Sequence, residues 1–258
     1  MDVSAGQASC LPLTGERTVP GVALENYWFR RHEAAYLALA GHCTDALVLE
    51  AGCGEGYGAD LLAGVARRVI AVDYDEPATA HVRARYPRVD VFRANLALLP
   101  VRSRVVDVVV NFQVIEHLWD QGGFLAECWR VLRPGGVLLI TTPNRLTFSP
   151  GLAVPLNPFH TRELAADELG GLLVDAGFAV EFLGGLHHGE RLRALDAAHG
   201  GSFIAAQVAV VMGQLPGEAS WPADLLGEVA SVRAVDFDIH RDDVDLSLDI
   251  VAVARRTR

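Results

Sequence analysis

The chain has 258 residues, of which 51% are hydrophobic and 21% are charged. This composition is typical of a globular protein with a sizeable core, and it excludes a chain that is mostly disordered. The formal net charge of −10 argues against a general basic surface that would bind DNA or RNA.

Targeting signals and cysteine chemistry are both weak in this sequence. The first residues, MDVSAGQASCLPL, contain no sustained apolar run, so we expect no signal peptide. No stretch approaches the ~20 apolar residues of a membrane span. The four cysteines show neither metal-ligand nor redox spacing, which favours reduced thiols in a cytoplasmic protein without a membrane partner.

The elements alternate along the chain after an irregular start over residues 1–20. Apolar residues recur at helical spacing over 25–40, and Gly41 ends this predicted helix. From residue 46 onwards, short apolar runs alternate with helical patterns, which indicates a parallel sheet with right-handed crossovers. The predicted strands are 46–52, 69–73, 89–95, 105–112, 137–143, 179–186 and 248–256, and the helices between them are 58–65, 76–87, 124–132 and 162–177.

A long connection separates the last two predicted strands. Its helical patterns lie at about 189–199, 202–213 and 222–233, and its acidic run from Asp236 to Asp245 is interpreted as a solvated face. Connections of this length often form lids or binding elements. We therefore predict one domain over 1–258, divided into an N-terminal helical cap (1–44), a core (45–188 and 246–258) and a helical insertion (189–245) that covers the substrate.

A glycine-rich segment follows the first predicted strand, with the sequence EAGCGEGYG over residues 50–58. Glycines let the chain turn sharply and let a ligand approach the backbone, and the following helix begins with free amides. The next strand ends in Asp73, whose carboxylate can bind both hydroxyls of a ribose. The two features together predict a nucleoside-binding site at the carboxyl edge of the sheet.

The spacing of the glycines distinguishes between cofactors. A dinucleotide fingerprint needs G-x-G-x-x-G, and the sixth position from Gly52 is Tyr57, so that template fails. The observed E-x-G-x-G-x-G, together with RANLALLP (93–100), VVDVVVNFQVIEHL (105–118) and VLRPGGVLLITTPN (131–144), resembles the class I S-adenosylmethionine (SAM) methyltransferases. The resemblance implies a Rossmann-like α/β fold with seven mostly parallel strands, an antiparallel last strand and helices on both faces.

The same resemblance implies SAM as the cofactor and S-adenosylhomocysteine as its product. In this family the residue at Asn95 faces the exocyclic amine of adenine, and Glu50 orients either the glycine-rich loop or the amino group of the methionine part. The expected cofactor-binding residues are Glu50, Gly52, Cys53, Gly54, Gly56, Asp73, Tyr74, Asn95, Leu96, Asn111, Phe112 and Gln113.

Candidate groups for the transfer chemistry follow the fourth and fifth strands. The sulfonium methyl is already activated, so the protein must align the acceptor, exclude water and remove a proton when the acceptor is an alcohol. His160, His117 and Glu116 are the candidates for this role, and Glu116 and His117 alternatively begin a helix and pack on the cofactor. Glu116 with a histidine resembles the Mg²⁺ site of some O-methyltransferases, but the oxygen ligands are incomplete, so we expect no metal.

A closer resemblance concerns the acceptor. TGERTVPG (14–21), ENYWFRRH (25–32), TPNRLTFSPG (142–151) and NPFHTREL (157–164) resemble an actinobacterial group associated with methylglucose lipopolysaccharide and other methylated polysaccharides. This resemblance implies O-methylation of a sugar hydroxyl in an oligosaccharide. A small-molecule O- or C-methyltransferase of quinone or secondary metabolism, and a SAM-binding module without catalysis, stay open, as does the oligomeric state.

Overall fold

The computed structural model describes residues 11, 17–198 and 223–257. The predicted helix over 202–213 therefore lies outside the described residues. The strands are β1 (Leu47–Ala51), β2 (Arg68–Asp73), β3 (Val89–Arg93), β4 (Val106–Phe112), β5 (Leu132–Pro143), β6 (Phe178–His188), β7 (Phe237–His240) and β8 (Asp249–Arg256). The helices are α1 (Asn26–Leu39), α2 (Tyr57–Leu62), α3 (Glu76–Arg85), α4 (Gln121–Val131), α5 (Arg145–Phe148), α6 (Ala166–Asp175), α7 (Glu190–Ala198) and α8 (Ala223–Ser231). Short 3-10 helices cover Ala23–Glu25, Ala40–Cys43, Ile115–His117, Ala234–Asp236 and Val244–Leu246.

The eight strands of the described residues form one mixed sheet in the order β3-β2-β1-β4-β5-β8-β6-β7. The pairs β1–β2, β1–β4, β2–β3 and β4–β5 are parallel, and β8 is antiparallel to both of its neighbours. The expectation of an antiparallel last strand is confirmed. The expected number of seven strands is wrong, because β7 adds an eighth strand at the edge, antiparallel to β6.

The strand that was not predicted, β7, lies in the acidic run from Asp236 to Asp245, which the sequence analysis interpreted as a solvated face. Phe237 packs in the core, and Asp236 just before it is buried and paired with Arg191 at 2.6 Å. The sequence did not predict this strand for two reasons. Aspartate is depleted in strands, and the alternation of Phe237 and Ile239 with polar residues extends over only a few positions. The segment 189–245 is consequently not an entirely helical insertion.

Two apolar cores lie on opposite faces of the sheet. One core contains buried residues of α1, α2, α3, α7 and α8, and the other contains residues of α4 and α6. Neighbouring strand residues alternate between them, as Val48 and Leu49 do in β1. Strands that are buried on both faces need apolar residues at nearly every position, which explains the continuous apolar runs in the sequence.

Element boundaries differ from the predicted ones where side chains cap the helices. Asp120 accepts a hydrogen bond from the Gly123 amide at 2.8 Å, so α4 begins three residues before the predicted start. Helix α6 begins only at Ala166, because the Glu168 side chain caps the amide of Ala165 at 2.8 Å. Residues 157–165 are consequently an irregular segment along the carboxyl edge of the sheet.

The N-terminal helix is fixed to the far end of the chain by a buried ion pair. The guanidinium of Arg31 donates to Asp249 at the start of β8, with an Nε–Oδ2 distance of 2.7 Å. Both side chains are 2% exposed. A buried pair of this kind holds a specific arrangement, since removal of one partner leaves an uncompensated charge. Among the described residues, no helix combines the length and the apolar character needed to cross a membrane.

Candidate active site

The glycine-rich loop connects β1 to α2 at the carboxyl edge of the sheet. The amides of Gly52 and Cys53 donate to the Val72 carbonyl at 2.8 and 3.1 Å, which fixes the start of the loop against β2. Gly52, Gly54 and Gly56 have φ values of +91°, +52° and +97°. The loop therefore takes a path that residues with side chains rarely adopt.

Gly54 and Asp73 meet across the gap between the first two strands. The Gly54 amide donates to Asp73 Oδ2 at 2.7 Å, and the Asp75 amide donates to Oδ1 at 2.9 Å. A Cβ on Gly54 would have as its nearest neighbour the Cβ of Arg17, at 3.8 Å, so the backbone there is open to a close approach. Each carboxylate oxygen of Asp73 keeps further acceptor capacity for a ligand.

Glu50 lies beneath this loop and is 1% exposed. The Tyr36 hydroxyl donates to its Oε1 at 2.5 Å, whereas its buried Oε2 has no hydrogen-bond partner among the described residues. Burial raises the pKa of Glu50 to about 8, although the hydrogen bond from Tyr36 opposes this rise. A buried carboxylate oxygen without a partner is costly, so this geometry favours a ligand with a cationic or donor group.

The end of β4 contributes a second incompletely satisfied group. Asn111 is fully buried, and its Nδ2 donates to the Ala51 carbonyl at 2.8 Å. Its Oδ1 has no partner among the described residues. Gln113 has a φ of +58°, which turns the chain out of the sheet. Non-glycine residues with strained backbone angles of this kind occur preferentially at functional sites.

The other predicted cofactor residues differ in exposure. Tyr74 is 69% exposed, whereas Leu96, Cys53 and Phe112 are buried, and the ring of Phe112 packs on Tyr36. Burial raises the pKa of the Cys53 thiol, so this group is an inert apolar neighbour of the loop. Asn95 is exposed, and its Oδ1 already accepts the Ala97 amide at 2.9 Å. The assignment of these residues to a cofactor stays a prediction.

A separate cluster brings together the three predicted catalytic residues. Glu116, His117 and His160 each offer an atom within 4.8 Å of the others, and the two imidazole rings are 4.8 Å apart at 86°. The loop that carries His160 is attached to Glu116 through its backbone carbonyl, which accepts the Thr161 amide at 2.7 Å. Three such groups could hold a metal ion, or they could move a proton.

Burial sets the charge states within this cluster. It raises the pKa of Glu116 to about 7, while a positively charged His160 would oppose this rise. It lowers the pKa of His117 to about 4, an effect that His160 reinforces. His117 is therefore neutral at pH 7, and its Nδ1 donates to the Phe159 carbonyl at 2.9 Å. Glu116 has a pKa in the range that suits a general base.

Two residues of the site were missed from the sequence. Tyr36 lies on α1, and its contact with Glu50 follows from the close approach of that helix to the glycine-rich loop. A Cβ on Gly58 would lie 2.1 Å from the Tyr36 ring, so only glycine permits this approach. Glu163 is the second: its Oε1 lies 2.6 Å from His160 Nδ1. The spacing His-x-x-Glu in NPFHTREL was the signal that could have indicated it.

Known proteins resemble the chain over nearly all of its length and in its core. A family profile described as "Methyltransferase domain" matches residues 49–140. A "probable S-adenosylmethionine-dependent methyltransferase" of Mycolicibacterium smegmatis is 63% identical over 96% of this chain and 96% of its own length. A relative with the same description in Mycobacterium tuberculosis is 59% identical over 98% of this chain and 92% of its own length.

A solved structure agrees with the fold. The crystal structure of a SAM-dependent methyltransferase from Mesorhizobium loti has a TM-score of 0.57 and 18% identity, and the match covers 88% of this chain and 98% of that one. At this identity the likeness shows the fold alone. The match to the full-length relatives, together with the glycine-rich loop and its acidic neighbours, establishes that this chain belongs to the SAM-dependent methyltransferases.

Proposed function

We propose that this enzyme transfers the methyl group of SAM to a hydroxyl group of a sugar, in the biosynthesis of a methylated oligosaccharide or polysaccharide. The observation that carries the proposal is the cluster of Glu116, His117 and His160, which lies in the segments that follow β4 and β5 at the carboxyl edge of the sheet. An alcohol must lose a proton when it is methylated, and groups able to accept one are needed next to the reacting oxygen.

The residues around the glycine-rich loop fit SAM. Glu50 offers a buried, unpartnered oxygen to an amino group, and Asn111 offers a second one. Asp73 offers its remaining lone pairs to ribose hydroxyls, and the open backbone at Gly54 permits close contact. When bound, SAM supplies a methyl group that is already activated by the sulfonium, so the protein contributes binding, alignment and removal of the proton.

Proton removal falls to His160 or Glu116 rather than to His117. With its pKa lowered to about 4, His117 is a weak base, and its role is to pack beside the other two groups. Glu116 is fixed by Thr142, whose hydroxyl donates to Oε2 at 2.9 Å. Burial shields these two groups from solvent, since the side chains of His160 and Glu116 are 5% and 1% exposed.

Exposed aromatic residues lie next to members of the cluster in the sequence, and such residues suit a sugar acceptor. Trp119 follows His117 by two residues and is 93% exposed, and Phe159 directly precedes His160 and is 43% exposed. Exposed rings of this size beside a reaction centre indicate a binding surface, and the apolar face of a pyranose packs well on such rings. This arrangement supports the sugar acceptor that the resemblance to the polysaccharide-associated group implies.

The N-terminal cap and the insertion lie beside each other, which supports a covering role for both. The Asn26 amide of α1 donates to the carbonyls of Val229 and Val232, at 3.0 and 2.9 Å. Through this contact α8 is fixed to α1, and α1 in turn contacts the glycine-rich loop. We therefore assign α1 and α8, which belong to the predicted cap (1–44) and insertion (189–245), to a cover over the core domain.

A quinone or phenol acceptor is the second candidate, and one relative favours it. A "ubiquinone biosynthesis O-methyltransferase" of Rhizobium rhizogenes is 32% identical, over 42% of this chain and 45% of its own length. This partial match covers less than half of either protein. It is compatible with the same proton-accepting cluster, because a phenol also loses a proton on methylation.

A single acceptor screen distinguishes these proposals. The purified protein is incubated with radiolabelled SAM and a panel of glucose and mannose oligosaccharides, some partly methylated, together with catechols and hydroxylated quinones. We expect label in an oligosaccharide, with a mass increase of one methyl group located by fragmentation on a hydroxyl oxygen. Label only in catechols or quinones would establish the second candidate, and label in no acceptor, with SAM bound, would favour a binding module.

A further inference from the structure

His160 is held at both ring nitrogens by residues of its own loop. Its Nδ1 lies 2.6 Å from Glu163 Oε1, and its Nε2 lies 3.1 Å from Asn157 Nδ2. The Asn157 Oδ1 accepts the Phe159 amide at 3.0 Å, so the amide nitrogen of Asn157 faces the imidazole as a donor. In neutral His160 the proton is therefore on Nδ1, and Nε2 carries the lone pair.

The burial of the Glu163 carboxylate is not explained by a contribution to the stability of the fold. Its side chain is 1% exposed, and among the described residues its hydrogen-bond partner is His160. Its Oε2 is buried with no partner in the same part of the chain. Burial of a carboxylate with one oxygen unsatisfied is costly, and a well-packed apolar side chain would serve the fold equally well or better. A carboxylate here is explained by what it does to His160.

We propose that Glu163 is the positioning residue that makes His160 Nε2 the proton acceptor of the methyl transfer. The carboxylate fixes the tautomer and ring orientation of His160, and it stabilises the imidazolium that forms. The same division of roles is known from carboxylate–histidine pairs in hydrolases. In this structure the Asn157 amide donates a hydrogen bond to Nε2. The hydroxyl of the bound acceptor replaces this amide as the donor.

The proton and electrons balance in this step. The hydroxyl oxygen of the acceptor forms its bond to the methyl carbon, and its O–H bond breaks as the proton passes to Nε2. The electron pair of the broken sulfur–carbon bond stays on sulfur, so the products are the methyl ether and S-adenosylhomocysteine. The Nδ1 proton remains between His160 and Glu163, and the imidazolium later releases the added proton to solvent. This inference rests on the proposed hydroxyl acceptor.

A metal ion at the cluster is the competing explanation. The ion would be bound by Glu116, His117 and His160, whose candidate ligand atoms lie within 4.8 Å of one another. Histidines that bind a metal often donate their other ring nitrogen to a carbonyl or a carboxylate. The Phe159 carbonyl beside His117 and the Glu163 carboxylate beside His160 fit this pattern as well. An ion on His160 Nε2 would prevent that nitrogen from taking a proton, so the two explanations predict opposite responses to chelation.

The test compares Glu163→Gln and Glu163→Asp with the control Asp167→Asn, an exposed carboxylate four residues away. Loss of the negative charge makes the imidazolium less stable, so the acid limb of the kcat–pH profile of Glu163→Gln moves to lower pH. We expect kcat to fall about 10- to 100-fold, at most the lower end of what a general base itself contributes, since His160 is still present in this variant. The KM for SAM stays within twofold, Glu163→Asp recovers part of kcat, and the control matches the wild type.

Two further measurements complete the test. The first distinguishes an effect through His160 from a general effect on the fold, and the second does not need the acceptor. In the double variant His160→Ala/Glu163→Gln, kcat should equal that of His160→Ala, since the carboxylate acts only through the histidine. Nitrogen NMR of the histidine rings should show a proton on Nδ1 in the wild type at neutral pH and a changed tautomer ratio in Glu163→Gln. This NMR readout needs no acceptor, so failure of the proposed substrate class leaves it unaffected.

Three results would overturn the inference. The first is an unchanged kcat and acid limb in Glu163→Gln, and the second is a loss of kcat that is additive with His160→Ala. The third is loss of activity on dialysis against EDTA, with recovery on adding Mg²⁺, Mn²⁺ or Zn²⁺ and a matching shift of the His160 ring resonances. Full activity in EDTA supports the inference.

Discussion

Glu50 should make the affinity for S-adenosylhomocysteine depend on pH, and its replacement by glutamine should remove this dependence. In the ligand-free protein, burial raises the pKa of this carboxyl group to about 8 from a usual value of 4.5. Its Oε2 has no partner among the described residues, whereas the ligand brings an ammonium group to this part of the predicted site. Only the carboxylate attracts an ammonium strongly, so binding at lower pH must first remove a proton from Glu50.

The magnitude follows from the distance between the working pH and this pKa. At pH 6, two units below a pKa of about 8, about one molecule in 100 carries the carboxylate. The affinity should therefore fall roughly 100-fold between pH 9 and pH 6, which corresponds to about 2.7 kcal/mol. The folded-state pKa lies above the unfolded one, so the stability of the ligand-free protein that depends on Glu50 is present below pH 4.5 and is lost as the pH rises through about 8.

Isothermal titration calorimetry measures both the affinity and the proton. Titrations at pH 6, 7, 8 and 9, each in two buffers with different ionisation enthalpies, should show release of nearly one proton per ligand at pH 6 and 7. Glu50→Gln reports the titration of the ligand alone, and Glu76→Gln, whose side chain is 73% exposed, is the matched control. Equal wild-type affinities at pH 6 and pH 8 would refute the reasoning, as would a pH dependence that survives in Glu50→Gln.

Three further changes test other parts of the site and fold. Asp73→Ala should weaken binding of S-adenosylhomocysteine by roughly 1–3 kcal/mol through lost hydrogen bonds, and calorimetry that finds the wild-type affinity would remove Asp73 from the site. Gly58→Ala places a Cβ 2.1 Å from the ring of Tyr36 and should destabilise folding by about 1–3 kcal/mol, to be measured by urea unfolding. Asp249→Asn leaves Arg31 charged and buried, so we expect a loss of about 3–5 kcal/mol, and a loss below 1 kcal/mol in the same assay would contradict this.

The main features of the fold and the turn at the glycine-rich loop were predictable because the sequence patterns that indicate them are local. Strands β1 and β4 are buried on both faces and therefore appear as apolar runs, and the glycines of the loop have backbone angles that other residues rarely adopt. The acid at the end of β2 could be found by counting along the chain from Gly54. The hydrogen bond that joins these two residues is consistent with that spacing.

The missed features depend on contacts between distant segments. Strand β7 is four residues long and exists because the β6 edge pairs with it, a relation that propensity cannot express. Tyr36 reaches Glu50 only after α1 has packed over the loop. Glu163 lies inside what the sequence indicates as a helix, and its contact with His160 is visible only once the chain from 157 to 165 is seen to run along the sheet edge.

Helix α1 connects the two halves of the proposed site, so the N-terminal segment is more than an accessory cover. On one side its Tyr36 holds Glu50 beneath the glycine-rich loop. On the other side the ring of Trp28 packs on Phe148, with 6.3 Å between the ring centroids. The ring of Phe148 packs in turn on His160, with 5.6 Å between the ring centroids. A displacement of α1 would therefore disturb the donor side and the proton-accepting side together. Since alignment of the two reactants provides much of the catalysis in an in-line transfer, one helix that touches both sides is a direct way to keep their separation fixed.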